Sequence, residues 1–342
     1  MIDAQLESRM AGEPGLAELD ATLCELVEGR GRLVTALKLS KGVYRISLAT
    51  RSRTISIVAK RLAPSVAHRS QLALERWLPA AGLEHVAPAL LGVAAERGGG
   101  IVWHLYEDLG GSTLADSGTA PAAFDAAVRL VAGIHARFAQ DPVLAECRVW
   151  GEDHGIAFYD SSVHDAIAAL STLVDSSDER TPGAAVAGRL RVRLERLADE
   201  RDHRARALAE LGGPDTLLHG DLWPKNTAVM ADNGGRNVRL LDWDKVGPGS
   251  FSYDLSTLAL RVPTRRRGAV IEIYRRAAAE HGMRLPSDSD LGLLFATAEY
   301  GRLANIAIWP ALIAAEQRSA WAVRELAEIE QWLEGVEVRC AA

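Results

Sequence analysis

The stretch LLHGDLWPKNTAVM, residues 217–230, constrains this chain more than any other. An apolar run delivers His219-Gly220-Asp221, and Asn226 follows five positions after the aspartate. Sixteen positions beyond Asn226, a second apolar run, VRLL, leads into Asp242-Trp243-Asp244. Between the runs, Asn233-Gly234-Gly235 supplies the positive φ angles of a tight turn, so the pattern predicts a β-hairpin. The segment before its first strand and the segment after its second then lie close together. Asn226 and Asp242 stand at those two ends. One amide oxygen and one carboxylate so placed can share a hard cation such as magnesium, whose remaining ligands are phosphate oxygens and water. Asp221 sits on the loop before the hairpin. A carboxylate there can accept the proton of a nucleophilic hydroxyl while the metal holds phosphates.

The rest of the chain divides around this segment. RLVTALKL (32–39), VYRISLAT (43–50) and TISIVAKRL (54–62) are short runs separated by SKG and RSR, and the last two are β-branched or alternating. They predict an antiparallel meander. VAHRSQLALERWLPAAG (66–82) has mixed helical spacing with Gly82 as a stop. VAPALLGVAAE and GGIVWHLYEDL read as two further strands. From about residue 121 the pattern turns helical and alanine-rich, over 121–139, 162–174, 186–211 and 266–337, with strand signals only around 216–241. The charged run RLRVRLERLADERDHRARALAEL interleaves acids with bases, which predicts a solvated amphipathic helix.

Bulk properties narrow the class. With 48% hydrophobic residues in 342, the chain can bury a sizeable core of one large domain or two lobes. A net charge of −6 implies no nucleic-acid partner. Cys24, Cys147 and Cys340 are scattered and form neither a zinc motif nor a disulfide framework. No apolar stretch near the first residues suggests a signal peptide, and none elsewhere is long enough to span a bilayer. The expectation is a soluble cytoplasmic protein with no membrane partner.

His219-Gly220-Asp221 with Asn226, the spaced Leu241-Asp242-Trp243-Asp244, and Asp254 in FSYDLSTLAL together resemble the aminoglycoside phosphotransferase and choline kinase family of the protein-kinase-like fold. The resemblance implies an α+β, bilobal architecture: an antiparallel-sheet N-terminal lobe over residues 1–108, and a mainly helical C-terminal lobe over 109–342 with the catalytic hairpin embedded in it. It implies an ATP-dependent small-molecule kinase using Mg2+, with Asp221 catalytic, Asn226 and Asp242 on the metal, and Asp254 bracing the catalytic loop. His135, on an apolar helix, matches a structural position of the family.

The same resemblance locates a nucleotide site. Lys60 ends the strand ISIVAK where the family's phosphate-pairing lysine stands, and an ammonium among apolar neighbours needs a partner. Glu75 on the following helix is the expected partner, with Glu84 as the alternative. Ser40, Lys41 and Gly42 are expected over the phosphates, with backbone N–H groups as donors. The crossover HLYEDLGGSTL resembles the family's hinge, so backbone groups from Glu107 to Leu109 are expected on the base edge. Such contacts leave ATP and GTP both open.

The expected acceptor is a small molecule with a hydroxyl. Only eleven residues separate Asp242 from Asp254, too few for the peptide platform of a protein kinase. Lys60, Asp221, Asn226 and Asp242 are all present, which argues against a pseudokinase-like binding module. Antibiotic-modifying enzymes, of aminoglycoside or nucleoside type, are the leading expectation, with inactivation of the antibiotic as the role. Trp223 in HGDLW also resembles the metabolic branches, among them choline, fructosamine and amino-sugar kinases. Arg302, Asn305 and Trp309 fall at i, i+3 and i+7 of a helical run and are expected to form one acceptor-binding stripe. Asp153 and Trp223 are further candidates for that site.

Overall fold

The computed structural model describes residues 3–29, 31–116, 121–176, 181–230, 237–336 and 340. The expected Asn233-Gly234-Gly235 turn lies outside the described residues. The chain separates into two compact units, residues 1–130 with 224–246, and residues 131–223 with 247–342.

In the first unit, β1 (Arg32–Ser40), β2 (Val43–Ala49), β3 (Thr54–Leu62), β4 (Leu90–Ala95) and β5 (Val102–Glu107) form an antiparallel sheet in the order β1-β2-β3-β5-β4. Strand β2 shows why the segment folds this way. Tyr44, Ile46 and Leu48 are buried and their neighbours less so, the period-2 alternation of a strand with one core face. That face also carries Leu33, Ile57, Ala59, Trp103 and Leu105. It is covered by two helices that the sequence reading did not anticipate, α1 (Asp3–Arg9) and α2 (Leu16–Leu26). Leu19 and Leu23 of α2 are fully buried in this core, and the Trp103 indole donates to Pro14 O at 2.9 Å. The opposite sheet face carries Val43, Arg45, Val58 and Lys60 into a cavity.

The helix expected over 66–82 is α3 (Pro64–Leu72), a π-helical turn over Ala73–Trp77, and the short α4 (Leu78–Ala80). A π turn inserts one residue into the helical count and shifts the phase of the side chains.

The hairpin strands are β7 (Thr227–Val229) and β8 (Val238–Leu240), antiparallel with Thr227 opposite Leu240. They group with the first unit rather than with the helical one. The reason is main-chain pairing: Leu114 N–H donates to Thr227 O and Val229 N–H to Ser112 O, each at 3.0 Å.

The second unit is helical around a two-stranded ribbon. The division between the units falls within α5 (Pro121–Phe138). Then follow α6 (Leu144–Trp150), α7 (Ile156–Asp175), α8 (Pro182–Asp199) and α9 (Arg201–Leu211). The ribbon pairs β6 (Thr216–Leu218) with β9 (Gly247–Gly249). The closing helices are α10 (Ser252–Leu260), α11 (Thr264–Glu280), α12 (Asp288–Gln317) and α13 (Ala320–Glu334). Gly247 has to be glycine, because a Cβ there would stand 1.9 Å from Glu152 O. The run expected as one helix over 186–211 breaks at Glu200. The break accompanies an inward turn of Arg204, which is buried against Tyr300 and bonds Thr297 Oγ1 at 3.1 Å. Among the described residues no helix is long and apolar enough to cross a membrane.

Helix α12 corrects the expected acceptor stripe. Arg302 is buried, paired with Glu299, and donates to Tyr253 O at 3.0 Å. Asn305 is exposed, and Trp309 is 69% exposed. The first half of α12 is enclosed, whereas beyond Ala304 its buried side is mainly small: Ala307, Pro310, Ala311 and Ala314. Residues at i, i+3 and i+7 therefore meet different surroundings along one helix. Glu299, with no exposed surface, also accepts from Arg261 at 2.7 Å and from the Trp332 indole at 2.8 Å. Burial pushes its carboxyl up, but the charges and hydrogen bonds of Arg302 and Arg261 outweigh this and hold it below the ordinary value. Arg302→Ala would leave Glu299 short of one of its two guanidinium partners. Chemical denaturation should show a loss of roughly 3–5 kcal/mol, the scale of a broken buried ion pair.

Candidate active site

The first unit holds a cavity of about 270 Å3. Of the residues singled out by sequence, Ser40, Lys60, Glu107, Leu109, Asn226 and Asp242 line it. Lys41 and Gly42 are not among its walls. Gly42 instead makes the β1–β2 turn at φ 71°, with its carbonyl accepting from Arg61 N–H at 2.8 Å.

Hairpin register positions the acidic end of the cavity. Leu241 N–H donates to Asn226 O at 2.7 Å, so Asn226 stands opposite the residue before Asp242. Asp242 itself has φ 66° and ψ 62°, the left-handed region that a non-glycine residue rarely takes. Such strain persists only where the surroundings impose it. The turn that follows, Trp243–Lys245, is fixed by the Trp243 indole on Leu240 O at 2.9 Å.

Lys60 Nζ reaches Asp242 Oδ1 at 2.5 Å and Asp244 Oδ2 at 2.6 Å. Burial pushes the ammonium toward neutrality, but the two carboxylates outweigh it and raise its pKa. Asp244 is pushed up to about 6 by burial and by the neighbouring Asp242 charge, against the pull of Lys60. The expected Lys60–Glu75 pair does not form. Glu75 is exposed in the π turn and accepts from Gln71 Nε2 at 2.8 Å. Glu84, in a short 3-10 turn, is also exposed. Opposite Lys60 in the sheet register lies His104, fully buried. Burial, with the Lys60 charge, drives its pKa down to about 4, so the ring is neutral and can bond the Tyr106 hydroxyl at 2.9 Å.

The crossover is pinned by a residue the sequence reading passed over. Asp108 accepts from Arg45 at 3.0 Å, Ser56 at 2.6 Å and Gly110 N–H at 3.1 Å. Burial raises its pKa, but these bonds outweigh burial and lower it. Glu107 does not offer its amide to a ligand: that N–H donates to Ala89 O at 2.9 Å, and the carboxylate takes Arg239 at 2.7 Å.

In the second unit, β6 delivers His219-Gly220-Asp221. Gly220 turns the chain at φ 81°. The turn is held from below by Asp254, whose Oδ2 accepts from His219 N–H at 2.7 Å and Oδ1 from Gly220 N–H at 3.0 Å. His135 Nε2 lies 3.2 Å from Asp254 Oδ2, and its Nδ1 lies 2.7 Å from the Tyr274 hydroxyl. Burial pushes the Asp254 carboxyl up, yet the His135 bond and charge, joined by the His219 amide, hold it below the ordinary value. Asp221 is half-buried. Its N–H donates to His219 Nδ1 at 3.3 Å and its carbonyl accepts from Trp223 N–H at 2.8 Å. The Trp223 ring is half-buried, with the Arg261 guanidinium 4.5 Å from its centroid. Asp153 is exposed and caps its own loop through Gly155 N–H at 2.6 Å.

The profile of the APH phosphotransferase enzyme family matches residues 39–286, most of the chain. The chain belongs to that family. Its fold is similar to that of spectinomycin phosphotransferase APH(9)-Ia, solved with ADP and spectinomycin, at TM-score 0.59 and 11% identity, covering 94% of this chain and 97% of that one. It is similar to an ethanolamine kinase of Plasmodium vivax, at TM-score 0.59 and 10% identity, covering 96% and 91%. It is also similar to an aminoglycoside-3'-phosphotransferase of type VIII, at TM-score 0.51 and 19% identity, covering 83% and 99%. No curated protein matches the chain in sequence. As a member of the family the chain is a small-molecule phosphotransferase with a kinase-like α+β fold that binds a nucleotide.

Within this family fold, the Asp254 brace carries a measurable pH signature. Its folded pKa lies below the ordinary 3.8, so its stabilising contribution is complete above that value and is lost as pH falls through the folded pKa. Asp254→Asn should cost roughly 1–3 kcal/mol at neutral pH, the scale of weakened buried hydrogen bonds. In urea titrations the gap to the wild type should stay level down to about pH 5 and close in stronger acid.

Proposed function

We propose that the protein is an ATP-dependent O-phosphotransferase that moves the γ-phosphate to a hydroxyl of a small-molecule antibiotic, inactivating it. The observation that carries the donor half of this reading is the cavity lined together by Lys60, Asn226, Asp242 and the crossover from Glu107 to Leu109. Lys60 binds phosphate oxygens, and the crossover backbone at Asp108 and Leu109 receives the base. Ser40, at the lip of the β1–β2 turn, borders the phosphates.

Asn226 and Asp242 fit a magnesium ion. They offer one neutral and one anionic oxygen from adjacent hairpin ends, and the Asp242 side chain is 38% exposed. Magnesium completes its shell with phosphates and water, so two protein oxygens suffice for it here. Bound there, magnesium would neutralise charge on the transferring phosphates. Asp221 orients the acceptor hydroxyl and takes its proton as the hydroxyl oxygen bonds to the γ-phosphorus. The bond from that phosphorus to the bridging oxygen breaks, and ADP leaves.

For the acceptor, the support is the spectinomycin and aminoglycoside enzymes among the similar structures. The likeness to an ethanolamine kinase over 96% of this chain, and the HGDLW sequence, favour a second reading, a metabolic small-molecule kinase. An ADP-release assay over aminoglycosides, spectinomycin, nucleoside antibiotics, choline, ethanolamine and fructosamine separates the two. Turnover confined to the amino alcohols or fructosamine would reject the antibiotic assignment.

Two variants test the chemistry. Asp221→Asn should lower kcat by about a hundredfold or more, the scale of a general base, while calorimetry finds nucleotide affinity unchanged. Asp242→Ala should remove the magnesium dependence of nucleotide binding, and an unaltered Mg-ATP isotherm would contradict its role as a ligand.

A further inference from the structure

A lysine that serves both phosphates and a metal-binding aspartate has a conflict to resolve. In this cavity the Lys60 ammonium lies 2.5 Å from Asp242, the carboxylate proposed for the cation. Once Asp242 turns to a cation, its hold on the ammonium weakens and a second positive charge stands nearby. Without another anchor Lys60 would be pushed out of position. The helix acids that the sequence offered, Glu75 and Glu84, are both exposed and are not among the hydrogen-bond or ion-pair partners of Lys60.

We propose that Asp244 is the positioning residue for Lys60, holding the ammonium toward the nucleotide phosphates when Asp242 is engaged by a cation. This rests on the reading of the cavity as a nucleotide site. Three features equip Asp244 for the task. Its Oδ2 already accepts from Lys60 at 2.6 Å. Its Oδ1 is buried and makes no hydrogen bond to any described residue, so it can take a second N–H of the same ammonium as Asp242 lets go. Its main chain is fixed from two sides. Arg69 of α3 donates from Nε to Asp244 O at 2.9 Å, and the Trp243 indole ties the preceding residue to Leu240 O. The structure thus moves the lysine's anchor from the helix after β3 to the turn after β8. A carboxylate two residues past the metal ligand holds the lysine in place of a helix acid.

The test is calorimetric binding of ADP, in EDTA and across a magnesium titration, to Asp244→Asn, Glu75→Gln, Lys60→Met and the Lys60→Met/Asp244→Asn double variant, each with a melting temperature. Asp244→Asn should weaken ADP by about tenfold at saturating magnesium, the value of one charge-assisted hydrogen bond, and by less in EDTA, where Asp242 still holds the ammonium. Glu75→Gln should bind as the wild type. The double variant should be no weaker than Lys60→Met alone, because both changes remove the same contact. Asp244→Glu, which keeps the charge, should recover most of the affinity. The proposal is overturned by a loss in Asp244→Asn that further magnesium restores, which makes Asp244 a metal ligand; by additive losses in the double variant; or by a loss in Glu75→Gln equal to that in Asp244→Asn. Should Lys60→Met itself bind ADP normally, the nucleotide-site reading fails together with the proposal. Normal binding by Asp244→Asn alone rejects only the latter.

Discussion

An ammonium placed on a strand between apolar neighbours is tolerated only beside compensating charge, and much of the first unit follows from how Lys60 obtains it. The sheet presents Lys60 on the face away from the core of Ile57, Ala59 and Trp103. The compensating carboxylates come from residues more than 180 positions later. They reach it because β7 and β8 pair in one register, because Leu240 and Leu241 fix the chain before Asp242, and because Asp242 accepts a left-handed backbone. The neutral His104 beneath the lysine adds no competing charge. The charged groups that line the cavity are therefore also the ones that tie the sheet to the hairpin turn.

The second unit handles its own buried charge in two places. Asp254 organises the turn before Asp221, taking two main-chain amides and an imidazole, so that turn is shaped by a buried carboxylate. Glu299 organises the closing helices, gathering Arg261, Arg302 and Trp332. Arg261 also lies on the Trp223 ring, so that packing among the last helices bears on a residue two positions from Asp221. Stability and loop shape are coupled through these two acids.

Much of this was legible in the sequence where local chemistry decides the outcome. Strands β1 to β3 begin and end within a residue of the expected runs, since alternation and turn residues act over short range. The hairpin and its acids were readable because Asn226 and Asp242 bracket two apolar runs. The misses share a cause. Leu16, Leu19, Leu23 and Leu26 of α2 follow helical spacing, but nothing local says that a sheet will need covering. Glu75 is the expected partner of Lys60 as the acid on the helix after β3, but the helix takes a π turn at Ala73–Trp77 and leaves Glu75 exposed. Asp244 and Asp108 stood in quoted motifs, yet their roles depend on partners far away in sequence. Arg302 and Trp309 share a side of α12 by periodicity alone, while tertiary surroundings bury one and expose the other.

The main chain crosses between the two compact units three times, within α5, after Trp223 and after Val246. During synthesis the five strands of the first sheet are complete once Glu107 has emerged, but β7, β8 and Asp242 follow more than a hundred residues behind. The nascent sheet must therefore wait with Lys60 lacking its counter-charges and with part of its cavity wall unmade. Closing so long a loop is entropically slow. Nor can any one cut in the gene release a complete first unit. A ribosome making this chain completes the cavity wall only after Asp221 has already left the exit tunnel, so a truncated product that has the whole cavity but lacks Asp221 should not arise from premature termination.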